Sequence, residues 1–223
     1  MLKSLAYKEW IKLRLYWGLM FLAHFVFCLF LCLQLRRVCM INEPLPVWSN
    51  WLFKDYLFFR PIEYGPLLLG IVFACLQFFP EIIAKRLRLV LHLPLGEDRA
   101  IGAHLAVGLG LLSLAFLPGI GLLLGYSSIW FPPEFATNFV FVYSPWLLGG
   151  YAAYLLSSFI LLEPTWRLRV FYFLLSASLV RLFFLPTNYD SFSRILPWLT
   201  LLTVGLVTLP LLSANRFGKG YGS

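Results

Sequence analysis

The stretch YSPWLLGGYAAYLLSSFILL, Tyr143–Leu162, runs for twenty residues without one charged side chain. A helix that crosses the hydrocarbon core of a bilayer needs about 20 mostly apolar residues, so this stretch predicts a membrane span. A barrel strand would alternate polar and apolar residues, and this run does not alternate. The segment is therefore expected to cross the membrane as an α-helix.

Similar stretches occur along the whole chain. The six expected spans are Tyr16–Leu35, Tyr64–Ile83, Ile101–Tyr126 (which Pro118 interrupts), Tyr143–Leu162, Leu168–Leu185 and Ile195–Ser213. They predict an all-α, polytopic membrane protein with six transmembrane helices. Residues 1–223 would then form a single transmembrane domain, with a six-helix bundle over residues 16–213 and a flexible cytoplasmic tail at residues 214–223.

The composition supports this fold class and excludes others. Hydrophobic residues make up 61% of the chain and charged residues 13%, whereas soluble domains are roughly 45–50% apolar and about 25% charged. A soluble enzyme of 223 residues could not bury so much apolar surface, and a disordered chain would not contain it. The net charge of +8 is explained by basic cytoplasmic loops, so no nucleic-acid partner is expected.

The placement of Lys and Arg predicts the orientation. With the N-terminus inside, all but six of the 18 cationic side chains fall in cytoplasmic segments. The six on the other side are Arg36, Arg37, Lys54, Arg60, Arg181 and Arg194. The positive-inside rule therefore favours a multi-pass protein with two cytoplasmic termini.

Two segments outside the spans have amphipathic character. Met1–Arg14 is too charged to span and combines an apolar side with Lys3, Lys8 and Lys12, which predicts an interfacial helix. The alternative is a frayed basic tail. Trp48–Phe59, WSNWLFKDYLFF, predicts a short helix at the outer interface or a loop of aromatic anchors.

The connection between the second and third spans carries the most specific pattern, FFPEIIAKRLRLVLHLPLGEDR, residues 78–99. Glu81 lies near the inner end of the second span, where a carboxylate is costly unless it is paired or wet. Lys85–Leu93 predicts a short basic helix, which Pro94 and Gly96 end. Such a helix could transmit the movement of a soluble partner into the bundle. The alternative is a basic loop that only obeys the orientation rule.

This order of parts resembles the ABC type-2 permease family, the membrane half of many bacterial exporters. Members of that family have an N-terminal elbow helix, like Met1–Arg14, six spans, and an acidic residue, a basic coupling helix and a leucine-proline element before the third span. The corresponding site residues here are Glu81, Lys85, Arg86, Arg88, His92 and Pro94. This chain departs from the family in its short Pro186–Arg194 loop and its long loop after the first span.

The resemblance implies a homodimer or heterodimer of permeases in the bacterial cytoplasmic (inner) membrane that binds two ABC ATPase subunits. ATP and Mg²⁺ would be held by those subunits, because this chain has no GxxxxGK[ST] motif. It would bind no cofactor itself, would not be an enzyme, and would export a hydrophobic or amphipathic substrate. Two alternatives remain open: a non-transporting anchor or assembly subunit, and a small polytopic enzyme that acts on lipid.

Three polar residues within the spans are candidates for the substrate path or for contacts between helices. Arg181 lies in the fifth span and could instead snorkel to the outer headgroups. His24 and His104 lie in or near the first and third spans, where a lone histidine usually forms a hydrogen bond to a neighbouring helix. No metal site is expected. Two runs of small residues, one containing Gly102 and Gly110 and one containing Gly149 and Gly150, predict close helix contacts.

Overall fold

A computed structural model describes residues 2–41, 46–47, 49–50, 57–83, 97–185 and 194–218 of the chain. Within these residues the regular structure is helical. The α-helices are α1 (Leu2–Ile41), α2 (Gly65–Ile83), α3 (Glu97–Ser127), α4 (Glu134–Leu162), α5 (Trp166–Arg181), α6 (Leu196–Leu206) and α7 (Thr208–Gly218). Short 3₁₀ turns at Arg60–Ile62 and Leu182–Phe184 precede α2 and follow α5.

The prediction of an all-α polytopic membrane protein is confirmed. In the described part of the chain, five helical segments are long and apolar enough to cross a membrane: Ser4–Ile41, Arg60–Ile83, Arg99–Ser127, Glu134–Leu162 and Leu196–Ala214. The expected span at Leu168–Leu185 is not among them. Its helix α5 has 16 residues, and Arg167, Arg169 and Arg181 lower its hydropathy. A sixth crossing therefore stays a prediction.

The N-terminal segment differs from the expected arrangement. Met1–Arg14 was expected to form an elbow helix separate from the first span, but α1 continues without interruption from Leu2 to Ile41. No proline lies in this stretch to break the hydrogen-bond ladder. Leu13 is fully buried, so this part of α1 packs against other helices. The expected boundary between residues 14 and 16 is wrong.

Other boundaries also move. Pro118 was expected to interrupt the third span, but α3 runs through it. The last span divides at Val207 into α6 and α7, because Pro210 has no N–H to donate to the carbonyl of Leu206. The expected flexible tail at 214–223 is helical as far as Gly218; the rest lies outside the described residues, as do Lys85–Leu93 and most of Trp48–Phe59.

The closest helix packing joins α2 to α4. A Cβ atom on Gly70 would collide with the backbone carbonyl of Gly150, and a Cβ on Gly150 would lie 2.8 Å from the carbonyl oxygen of Pro66. The two backbones therefore touch without side chains between them, as small residues allow in membrane bundles. On the other side of the bundle α1 packs along α3, where the indole N–H of Trp17 donates to the carbonyl of Leu111 at 2.8 Å.

Aromatic rings fill the bundle where α4 begins. The aromatic cluster consists of Phe59, Phe135, Phe139, Tyr143 and Trp146, all at most 1% exposed. Phe59 contacts three of the rings on α4, the closest being Phe139 at 4.6 Å between ring centroids. This cluster lies at the start of α2, and the charged side chains described next lie at its end.

Candidate functional site

A set of polar side chains is buried between the first half of α1 and helices α2, α3 and α4. This polar cluster consists of Glu9 and Lys12 on α1, Gln77 and Glu81 on α2, His104 on α3 and Tyr154 on α4. Apart from Lys12, each member is at most 2% exposed. Glu81 lies two residues before α2 ends, so the cluster is at the end of the bundle where α2 leads into the segment 84–96 and α3 begins. We call this the polar end.

The two carboxylates of the polar cluster share one ammonium group. Lys12 Nζ lies 2.8 Å from Glu9 Oε1 and 3.1 Å from Glu81 Oε1. Its third donor goes to the backbone carbonyl of Gln77 at 3.1 Å. Lys8, which is more exposed, adds a second contact to Glu81 at 3.4 Å. Two carboxylates are therefore balanced by two ammonium groups, which makes burial of the acids tolerable.

Gln77 connects α2 to three other helices through its amide group. Its Nε2 donates to Glu9 Oε2 at 3.3 Å and to the backbone carbonyl of His104 at 2.8 Å. Its Oε1 accepts a hydrogen bond from the Tyr154 hydroxyl at 2.7 Å. Both ends of a buried amide are thus used, which is the condition under which a buried polar network holds its members rigidly.

His104 and Gly108 complete the cluster on α3. His104 Nδ1 lies 3.5 Å from Glu9 Oε2, and its Nε2 has no hydrogen-bond partner among the described residues. A Cβ on Gly108 would lie 2.6 Å from Gln77 Oε1 and 2.5 Å from Tyr154 Cζ. Only glycine leaves space there for the hydrogen bond between Tyr154 and Gln77.

A smaller polar contact lies at the same end. Glu163, directly after α4, is 1% exposed and accepts a hydrogen bond from Ser213 Oγ at 3.1 Å. Arg216 lies 3.7 Å from its carboxylate, and Arg169 donates to its backbone carbonyl at 2.6 Å. The hydrogen bond between Arg216 and the Tyr172 hydroxyl raises the pKa of the guanidinium above its usual value. This contact fixes the end of α7 beside the end of α4.

The expected site residues divide into three groups. Glu81 and His104 both belong to the polar cluster, although the sequence placed them in different roles. Lys85, Arg86, Arg88, His92 and Pro94 lie outside the described residues. His24 and Arg181 lie apart from the cluster: His24 is buried 3.8 Å from Cys28 Sγ, and Arg181 is exposed at the end of α5.

Sequence reasoning missed four members of the cluster: Glu9, Lys12, Gln77 and Tyr154. Two signals were available. Glu9 and Lys12 are three residues apart on a helix, and Gln77 and Glu81 are four apart, so each pair shares one helix face. Gln77 is also the first strongly polar side chain of the second span, after the thirteen mostly apolar residues Tyr64–Leu76. In contrast, no local pattern marks Tyr154.

The described residues contain no group of three His, Cys, Asp or Glu side chains that could hold a metal ion. The polar cluster joins helices from four parts of the chain through charges and hydrogen bonds, whose directional geometry holds the helices in a fixed relative position. In comparisons with known proteins, no protein-family model matches the chain, and no curated protein and no solved structure matches it.

Proposed function

We propose that this chain is the transmembrane permease subunit of an ATP-driven exporter of the ABC type-2 kind. It would move a hydrophobic or amphipathic substrate across the bacterial cytoplasmic membrane while a separate subunit hydrolyses ATP. The observation that carries the proposal is the position of the polar cluster. It ties the two helices that flank residues 84–96 to each other and to the rest of the bundle.

The contacts at the end of α2 and the start of α3 support the proposal that force is applied to the connection between them. Glu81 lies two residues before the end of α2, and His104 lies in the second turn of α3. Gln77 bonds to the backbone of His104 at 2.8 Å, so α2 and α3 would move as one unit. Lys12 and Tyr154 then pass the displacement to α1 and α4. A contiguous set of directional contacts is the physical requirement for such transmission.

The charge of the connection supports a protein partner. Lys85, Arg86 and Arg88 are three cations within four residues, in the connection between α2 and α3 that the orientation rule assigns to the cytoplasm. An ATPase subunit with an acidic groove would be attracted and oriented by them. Such a partner can change the permease only if its nucleotide states contact this segment differently.

The remaining parts of the proposal follow from the resemblance. Two permease chains, identical or different, would assemble with two ATPase subunits, which would hold ATP and Mg²⁺. That ATP would be held by the other subunits is consistent with the sequence, because this chain has no GxxxxGK[ST] motif. Both termini would be cytoplasmic, which accords with their positions at the same end of the bundle: Lys12 lies beside Gln77, and Arg216 lies beside Glu163.

Co-purification tests the proposal. The chain is tagged at its C-terminus, extracted from its native membranes in a mild detergent, and analysed for associated proteins by mass spectrometry. We expect a P-loop ATPase in near-equal amounts and ATP hydrolysis by the complex. Recovery of partners without an ATPase would contradict the proposal and favour an anchor subunit. Turnover of lipid by the chain alone would contradict it in favour of an enzyme.

A further inference from the structure

The aromatic cluster contains two hydrogen-bond donors that have no acceptor within the part of the chain that the structure describes. Among the described residues, the hydroxyl of Tyr143 and the indole N–H of Trp146 are buried and have no hydrogen-bond partner. The two residues are at most 1% exposed, and their rings lie 5.7 Å apart in an edge-on arrangement. Both are on α4, and both face Phe59.

Burying these donors without acceptors costs free energy of folding, and an apolar residue in the same place would avoid that cost. A buried N–H or O–H without an acceptor loses its hydrogen bonds to water and gains none. Phenylalanine would fill most of the same space without this loss, and it occupies the positions one turn (Phe139) and two turns (Phe135) before Tyr143 on the same helix. Polar groups that remain unpaired in a native core call for an explanation by something absent from the core, such as a water or a ligand.

The surroundings indicate the chemistry of what would fit. The cluster contains no acidic or basic side chain. Of the charged residues next to it along the chain, Arg60 lies 3.8 Å from Glu63, and Glu134 is exposed at the start of α4. An indole N–H can only donate, so the missing partner must accept. A water that accepted a hydrogen bond from both donors would still have two hydrogens of its own, and the phenylalanine rings of the cluster offer them no acceptor. An acceptor oxygen on an apolar molecule needs only these two donors and the surrounding rings.

We propose that the aromatic cluster is a substrate-binding site, closed in this structure, for an uncharged apolar molecule that carries an acceptor oxygen such as a carbonyl. Tyr143 and Trp146 would donate to that oxygen, and the rings of Phe59 and Phe139 would contact the apolar body. The inference rests on the proposed export function in taking the bound molecule as cargo. The ligand could be a membrane lipid, through its ester carbonyl, or a smaller molecule.

The first test compares the removal of an unpaired buried hydroxyl with the removal of a paired one. Tyr143→Phe removes a hydroxyl without a partner, so the purified complex should keep or raise its unfolding temperature in detergent. Tyr154→Phe is the matched control, because its hydroxyl is equally buried on the same helix and donates to Gln77 at 2.7 Å. That variant should unfold about 2–4 °C earlier. An equal loss in Tyr143→Phe would overturn the proposal.

The second test measures binding with benzophenone, an apolar ketone that labels nearby C–H bonds on irradiation. Labelled peptides from α4 are identified by mass spectrometry in the purified complex. We expect labelling around Phe139–Trp146 that falls roughly 2- to 10-fold in Tyr143→Phe and in Trp146→Phe. Tyr151→Phe, two turns further along α4 and bonded to Ser113, should label like the wild type. Equal labelling in all variants would overturn the proposal.

Added phosphatidylglycerol distinguishes the two sources of ligand. Displacement of benzophenone from α4 by the lipid supports a lipid ester as cargo, and retention supports a smaller apolar molecule. The unfolding and labelling experiments can be carried out on the purified complex and equally on the chain purified without an ATPase. A chain that binds benzophenone as expected but purifies without an ATPase would therefore contradict the export function and leave the binding site standing.

Discussion

Lys12 is the side chain on which the polar cluster depends most. Its ammonium group contacts both buried carboxylates, and its third donor reaches the backbone of α2. Without it, Glu81 would keep only the more exposed Lys8 as a charged partner, and Glu9 would keep only Gln77 and His104. Removing one partner of a buried ion pair leaves an uncompensated charge, which costs far more than the pair itself contributes.

We therefore predict that Lys12→Met destabilises the protein by about 3 kcal/mol, the lower end for a buried pair, because the Lys12 side chain is 19% exposed. The measurement is the unfolding temperature of the purified protein in detergent. Lys8→Met is the control, since that side chain is 42% exposed and should cost less than about 1 kcal/mol. Similar losses in the two variants would show that Lys12 does not hold the cluster.

The individual residues also show what a sequence can and cannot reveal about the site. Glu81 was identifiable because a carboxylate near the end of an apolar span is costly without a partner. Its partners were not, because Lys12 lies 69 residues away along the chain and Tyr154 lies 77 residues from Gln77. Local spacing places side chains on one face of one helix, but it does not reveal which helix lies opposite.

At the scale of elements, the contact between α2 and α4 determines where the polar cluster can form. Gly70 and Gly150 allow the two backbones to touch, and this approach brings Tyr154 within reach of Gln77. Because no side chain separates the two helices at this point, there is no flexible group that could move aside for a larger residue.

We predict that Gly70→Ala destabilises the bundle by about 1–3 kcal/mol through overpacking against the backbone of α4. Gly110→Ala is the matched control, because nothing lies within 4 Å of its added Cβ atom. In the interior of a helix, alanine is favoured over glycine by about 1 kcal/mol. The two unfolding temperatures should therefore shift in opposite directions, and a stabilising Gly70→Ala would contradict the packing described here.

The glycines also show how far contacts between helices can be predicted from the sequence. The sequence predicted close contacts at both Gly102–Gly110 and Gly149–Gly150. The structure places neighbouring helices against Gly149 and Gly150 but leaves Gly102 and Gly110 open. Small residues at helical spacing permit a close approach, and the rest of the bundle decides which of them is used. The boundary of the first span was mispredicted for a similar reason. Leu13 is buried against other helices, so the packed part of α1 begins before the stretch of high hydropathy.

At the scale of the whole molecule, the chain returns to the end from which it starts. Arg216 on α7 lies beside Glu163, and Glu9 on α1 is linked through Gln77 to Tyr154, two turns before α4 ends. Between them, α5 and its 3₁₀ turn carry the chain to Phe184, which stacks on Tyr64 at 5.2 Å, just before α2 begins. The helix that falls short of a membrane span by hydropathy therefore still runs between the two ends.

This arrangement predicts that both termini lie on one side of the membrane. Reporter fusions at the N-terminus and the C-terminus, with one enzyme active only in the cytoplasm and one active only outside it, measure the side directly. We expect cytoplasmic signals from both, as the distribution of Lys and Arg also predicts. Opposite signals would mean that only the five most apolar segments cross the bilayer.

The central claim is that residues 84–96 receive force from an ATPase subunit and pass it to the polar cluster. The most direct test reverses the charges of Lys85, Arg86 and Arg88 together, with Lys3, Arg14 and Arg167 reversed as a control that matches in residue types and predicted side. We expect the first variant to insert normally. Its rate of permease-dependent ATP hydrolysis should fall roughly tenfold, because like charges across an interface repel each other strongly. The control should retain it. Unchanged hydrolysis in the first variant would contradict the account.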